Sequence, residues 1–153
     1  MLHQDWMRIA LSQAQMALKQ GEVPIGAVIV NKGHVVAAAH NEKELRKDPT
    51  AHAEILAIRR ATEVLGAWRL TDASLYVTLE PCPMCAGAII QSRIKQLVYG
   101  TMDLKGGAVG SVINILDNNL WNHRVDVVAG VLENECSDIL KSFFKKLREG
   151  SIL

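Results

Sequence analysis

The chain has 153 residues, of which 49% are hydrophobic and 22% are charged. This balance is typical of one globular domain with an apolar core, expected here over residues 1–153, and it excludes a disordered or fibrous chain. The 17 basic and 16 acidic side chains give a formal net charge of +1, which favours no class of partner and leaves nucleic acid open.

Hydrophobic periodicity and turn residues divide the chain into short helices and strands. The turn sequence Asn31-Lys32-Gly33 separates two apolar runs and predicts a β-hairpin, and Thr50 is a candidate N-cap for the second helix. The predicted elements, in chain order, are a helix over 5–19, strands over 25–30 and 34–39, a helix over 52–65, a strand over 74–79, a helix over 83–92, a strand over 96–99, a helical segment over 111–117, a strand over 125–131 and a last helix that contains Glu133 to Arg148.

This alternation favours an α/β fold in which a five-stranded sheet carries helices on both faces. About 25 residues separate the fourth and fifth strands, enough for a crossover, so those two strands could be parallel. The N-terminus lacks the apolar core of a signal peptide, and no run of about 18 apolar residues predicts a membrane span. An odd number of cysteines makes a poor disulfide framework, so we expect a reducing cytoplasm.

Two short motifs carry residues suited to metal chemistry. His52-Ala53-Glu54 and Pro81-Cys82-Pro83-Met84-Cys85 each open a predicted helix. One imidazole and two thiolates would give zinc three protein ligands and leave a fourth position open, as in catalytic zinc sites. Glu54, two residues after His52, could lie over that position and move a proton to and from a bound water.

Other interpretations of the same residues remain open. A Cys-x-x-Cys pair also occurs in redox proteins and in closed structural zinc sites. A closed site needs a fourth ligand, and the candidates are His123, in a loop, and Cys136, whose place on the apolar face of the last helix favours a core role.

The paired motifs match the signature of the zinc-dependent nucleobase deaminases. The chain as a whole resembles the bacterial tRNA adenosine deaminases within that superfamily. The resemblance extends beyond the zinc motifs and rests on residues 22–28, 40–41, 48–54, 75–82, 84–88, 106–111 and 122–124.

The resemblance implies a three-layer α/β/α cytidine-deaminase-like fold with a central mixed sheet, and one zinc ion per subunit. It implies hydrolytic deamination of adenosine to inosine at the wobble position of a tRNA anticodon, by attack of zinc-bound hydroxide on C6 with Glu54 as proton shuttle. It also implies a cytoplasmic homodimer in which the neighbouring subunit builds part of the site for the anticodon stem-loop.

Further site residues follow from the same resemblance. Asn41 would hydrogen-bond the flipped base, Val28 would line the base pocket, and Asp103 and Asn122 would contact the substrate nucleotides. His123 is a further candidate contact. The last helix approaches the anticodon loop in this family, so Phe143, Phe144 and nearby basic residues are candidates there, although both rings also fit a core-facing stripe.

Two competing functions remain. A guanine, cytosine or cytidine deaminase that acts on a free base or nucleoside would use the same zinc chemistry. A zinc-stabilised RNA-binding module without catalysis would need all four metal positions filled by protein, and it would not depend on Glu54.

Overall fold

The computed structural model describes residues 1–150 of the chain. These residues form five helices and five strands, which follow the predicted order except that a short helix, Lys43–Arg46, is additional and no helix forms over 111–117. Their bounds are α1 His3–Lys19, β1 Gly26–Asn31, β2 His34–His40, α2 Lys43–Arg46, α3 Ala53–Leu65, β3 Ala73–Leu79, α4 Pro83–Gln91, β4 Gln96–Thr101, β5 Asp126–Ala129 and α5 Glu133–Arg148.

The strands form one mixed sheet in the order β2-β1-β3-β4-β5. Strand β1 is antiparallel to β2 and to β3, whereas β3, β4 and β5 are parallel to one another. The parallel pairing of β4 and β5, which the length of their connection allowed, is therefore confirmed. The predicted α/β class with a five-stranded mixed sheet is also confirmed.

Alternate residues of β1 face opposite sides of the sheet and so enter different cores. Ala27 and Ile29 belong to a core with α3 and α4, and Val28 and Val30 belong to a second core with α1 and Cys136 of α5. Helices therefore cover both faces, and the sheet is the middle of three layers. None of the helices among the described residues is long and apolar enough to cross a membrane.

Three local predictions need correction. His52, not Thr50, is the N-cap of α3, because Asp48 accepts the Thr50 backbone N–H at 2.8 Å and holds Thr50 in a turn. Residues 111–117 form turns around a single bridge between Val109 and Asn114 instead of a helix. Residues 40–50, for which the sequence predicts neither helix nor strand, contain the short helix α2, whose backbone N–H groups at Glu44 and Leu45 donate to the buried carboxylate of Glu22.

Candidate active site

One edge of the sheet gathers the residues that the two sequence motifs singled out. The parallel strands β3 and β4 both end there, which is the usual position of ligand sites in α/β proteins. Because β1 runs in the opposite sense, its first residue, Gly26, pairs with His40 at the end of β2 at the same edge. Helices α3 and α4 begin at this edge, with His52 and Cys82 as their N-caps.

His52, Cys82 and Cys85 form a group that can hold a metal ion. The Nδ1 atom of His52 lies 3.6 Å from the Sγ atom of Cys82 and 3.6 Å from that of Cys85. A tetrahedral zinc with bonds of about 2.3 Å to sulfur and about 2.0–2.1 Å to nitrogen would separate such atoms by about 3.5 Å. The donor set and its spacing therefore fit zinc.

The same three residues form the only candidate metal group among the described residues. Neither proposed fourth ligand is near it. His123 donates a ring N–H to the carbonyl oxygen of Ile94, at the far end of α4, where β4 is about to begin. Cys136 is fully buried with α1 on the other face of the sheet, so its predicted core role is confirmed. The part of the chain that the structure describes thus offers a metal three candidate ligands at this site.

The imidazole and the two thiols affect one another's protonation through hydrogen bonds. A hydrogen bond from Cys85, with a smaller contribution from His52, lowers the pKa of Cys82 to about 4. The same contact, together with burial, raises the pKa of Cys85. The hydrogen bond with Cys82 raises the pKa of His52. A thiolate next to an imidazole at a helix N-terminus is a suitable ligand for a cation.

Glu54 lies in the first turn of α3 beside the metal group and is 5% exposed. Burial raises its pKa to about 7, and the negative charge of Cys82 acts in the same direction. A carboxyl group with a pKa near the working pH can both accept and return a proton. Glu54 therefore remains the candidate proton carrier of the site.

A cavity of about 170 Å³ opens next to His52 and is the candidate base pocket. It is lined by Val23, Ile25, Asn41, Lys43, His52 and Ala53. The Asn41 amide makes only long contacts, 3.5 Å to the carbonyl oxygen of Val23 and 3.3 Å to the N–H of Lys43. Bonds of that length are weak, so the amide is available to a ligand.

A larger groove of about 640 Å³ adjoins this cavity, and Val23 lines both. Helix α5 forms one wall and the segment after β4 forms the other. The groove combines apolar side chains, among them Phe144 and Leu104, with the cations Lys105, Lys141 and Arg148 and with Asp103.

Not every predicted substrate contact lies at this edge. Val28 is fully buried in the core with α1, so its side chain points away from the metal group, and Val23 and Ile25 line the cavity in its place. Asn122 is exposed in the loop next to His123, at the opposite edge of the sheet from Cys82. Within one chain, the role predicted for Asn122 and His123 has no structural support.

Phe143 and Phe144 occupy opposite environments although they are neighbours. Phe143 is 3% exposed and belongs to the core, whereas Phe144 is 41% exposed and lines the groove. A buried ring has no surface to offer an RNA, so Phe144 replaces Phe143 as the candidate contact.

The known proteins to which this chain is similar are described as deaminases. A family model described as MafB19-like deaminase matches residues 1–148. The tRNA-specific adenosine deaminase of Bacillus subtilis is 50% identical over 144 residues, which span 94% of this chain and 89% of that protein.

Two solved structures are similar as well. One comes from a study of A-to-I editing by tRNA:A34 deaminases at the wobble position of transfer RNA. It has a TM-score of 0.86 and 48% sequence identity, and the match covers 89% of this chain and 99% of that chain. A guanine deaminase from Bacillus subtilis has a TM-score of 0.64 and 43% identity, and covers 67% of this chain and 66% of its own.

Proposed function

Because the chain belongs to the family of the tRNA-specific adenosine deaminases, we propose that it converts adenosine to inosine at the wobble position of a tRNA anticodon. The observation that carries the proposal is the metal group of His52, Cys82 and Cys85 with the buried carboxyl group of Glu54 next to it. We assign one zinc ion to that group in each subunit, and we propose that the protein acts in the cytoplasm.

The reaction replaces the 6-amino group of adenine with oxygen from water and releases ammonia. The chemistry that zinc supplies when bound is the activation of a water molecule for attack on carbon. Glu54 takes one proton from the attacking water and gives it to N1 of adenine, and it then moves the second proton from the new C6 hydroxyl group to the departing amine. Asn41 holds the base in the cavity by hydrogen bonds, while Val23 and Ile25 pack against its apolar surface.

An anticodon loop suits the shape of the site because unpaired loop bases can be turned outward at little cost. The base would enter the small cavity, and flanking nucleotides would lie in the adjoining groove. There Lys105, Lys141 and Arg148 would meet phosphates, Phe144 would stack on a base, and Asp103 would accept a hydrogen bond from a nucleotide.

We further propose that the protein is a homodimer and that α4 contributes to the contact. Pro83 and Met84 are exposed there, and Gly87 has no atom within 4 Å of the place where a Cβ would stand. A surface of small and apolar side chains allows a second copy to approach closely.

A substrate comparison tests the proposed reaction. We expect inosine in a stem-loop RNA with adenosine at the wobble position, measured by mass spectrometry of the digested RNA, and no ammonia from free guanine or cytidine. A fully paired duplex of the same sequence is the control, and it should stay unmodified because its base cannot enter the cavity. Release of ammonia from guanine without formation of inosine would instead support a second candidate function, deamination of free guanine. The 43% identity to a guanine deaminase favours testing it.

The two adjacent phenylalanines give a matched test of the groove. Phe144→Ala should raise the KM for the stem-loop by roughly tenfold, because stacking of an aromatic ring on a base contributes about 1–3 kcal/mol. Phe143→Ala should instead lower the free energy of unfolding by about 3–5 kcal/mol through an internal cavity. Steady-state kinetics and denaturant unfolding separate the two effects. An unchanged KM in Phe144→Ala would remove the groove from the proposed RNA site.

A further inference from the structure

Glu80 is a buried carboxylate that the proposed mechanism leaves unused. It is 2% exposed and follows β3 directly, two residues before Cys82. Its Oε1 atom accepts the backbone N–H of Asp103 at 3.0 Å and the hydroxyl of Ser111. Its Oε2 atom accepts the backbone N–H groups of Val109 at 3.0 Å and Ser111 at 3.1 Å. A single side chain therefore binds both ends of the loop over residues 103–111.

This 103–111 loop is packed tightly around the Glu80 carboxylate. A Cβ atom on Gly107 would stand 2.3 Å from Oε2 of Glu80, so only glycine fits at that point. The N–H of Ala108 donates to the carbonyl oxygen of Pro81 at 2.8 Å. The loop is thus fixed to the same short segment that carries the metal ligand Cys82.

The loop brings Asp103 to the groove in a defined orientation. Oδ1 of Asp103 accepts the N–H groups of Lys105 at 3.2 Å and Gly106 at 3.1 Å. Because these bonds occupy Oδ1, Oδ2 is the atom that Asp103 offers to a ligand in the groove. The position of the Asp103 backbone is in turn set by its N–H bond to Glu80.

We propose that Glu80 is a positioning residue for RNA binding: it holds Asp103 at the wall of the groove and does not itself contact the substrate. The inference rests on the proposed function, in which Asp103 contacts a nucleotide. It assigns to Glu80 an effect on KM that is transmitted through Asp103.

Glu80→Gln tests this assignment with a minimal change. The glutamine oxygen can still accept the N–H groups of Val109 and Ser111, while the new NH2 group takes the place of Oε1. The Ser111 hydroxyl can turn to accept from that NH2 group, but the Asp103 N–H then faces another donor. The variant therefore disturbs the bond to Asp103 in particular. Ser111→Ala is the matched control, because it removes a bond to Glu80 and keeps the one to Asp103.

We expect Glu80→Gln to raise the KM for the stem-loop by roughly tenfold, with kcat and zinc content within about twofold of the wild type. Ser111→Ala should leave KM within about twofold. The double variant Glu80→Gln/Asp103→Ala should have the KM of Asp103→Ala alone, because both changes remove the same contact. Amide exchange measured by NMR should be faster at Asp103 in Glu80→Gln. If Glu80→Gln does not fold, Gly107→Ala, which pushes the loop off the carboxylate, should raise KM in the same way.

The inference is overturned if Glu80→Gln leaves KM unchanged or lowers only the zinc content and kcat. It is also overturned if the increases in KM of the two single variants multiply in the double variant. A wild type that deaminates no stem-loop RNA would contradict the proposed function instead. In that case the dissociation constants of the same variants for the stem-loop decide the role of Glu80, with the same expected pattern.

Discussion

Glu54→Gln should slow deamination of the stem-loop by roughly 10³–10⁴-fold while zinc content and fold stay as in the wild type. The amide keeps the size of the buried side chain but cannot carry a proton between water, ring nitrogen and leaving amine. Glu54 is not one of the three residues of the candidate metal group, so its replacement should not release the ion. Single-turnover kinetics, with zinc measured by elemental analysis, checks both halves of this prediction.

Glu63→Gln is the control for that experiment. Glu63 lies on the same helix but is exposed, and its replacement should change neither the rate nor the metal content. Normal deamination by Glu54→Gln would show that another group carries the proton. Loss of zinc from Glu54→Gln would show that the carboxylate is a ligand. The metal would then have no open position for water.

Cys85→Ser should lose zinc and with it deamination, by roughly 10⁴-fold or more. Cys85 is fully buried in the first turn of α4, and serine in its place supplies a poor ligand for zinc. The activation of water by a metal stabilises the transition state by several kcal/mol, so the rate should fall accordingly. In a series of samples that contain different amounts of bound zinc, the inosine yield should fall in step with the zinc content.

Cys136→Ala is the matched variant, since it also removes a fully buried thiol. Its effect should be on stability alone, because Cys136 packs with α1 on the other face of the sheet. A Cys85→Ser protein that keeps stoichiometric zinc, or a Cys136→Ala protein that loses it, would contradict the assignment of ligands.

The sequence was sufficient to predict the metal group because its residues stand at recognisable boundaries. His52 and Cys82 both come directly before a helix, and Cys85 follows within the first turn of α4. Residues at helix starts along one edge of a sheet are brought together by the fold itself. The order of helices and strands was predictable for a similar reason, since glycines and turn residues mark most of the element ends.

The position of Val28 could not be predicted in the same way. Residues 25–30 are a continuous apolar run, because β1 is buried on both faces, and such a run does not indicate which residues face α3 and which face α1. The pairing in the folded sheet decides this, and it turns Val28 toward α1. Val23 and Ile25, which do line the cavity, precede the strand and carry no local signal.

Other errors arose where tertiary contacts override local preference. Helix α2 has only four residues, and it is held by the buried carboxylate of Glu22 from a distant part of the chain. Glu80 organises the 103–111 loop in a comparable way. A lone glutamate in the sequence gives no indication that it will be buried. The contacts of Glu22 with α2 and of Glu80 with the 103–111 loop could therefore not be predicted.

X-ray absorption spectroscopy of the zinc-loaded protein tests whether the metal has three protein ligands and one position open to solvent. We predict two sulfur neighbours at about 2.3 Å, one imidazole nitrogen, and one further light neighbour at about 2.0 Å that comes from solvent. The solvent neighbour should be replaced when a competitive small ligand is added. A third sulfur, a second imidazole or a protein carboxylate in the fourth position would describe a closed site, which cannot activate water and would contradict the proposed catalysis.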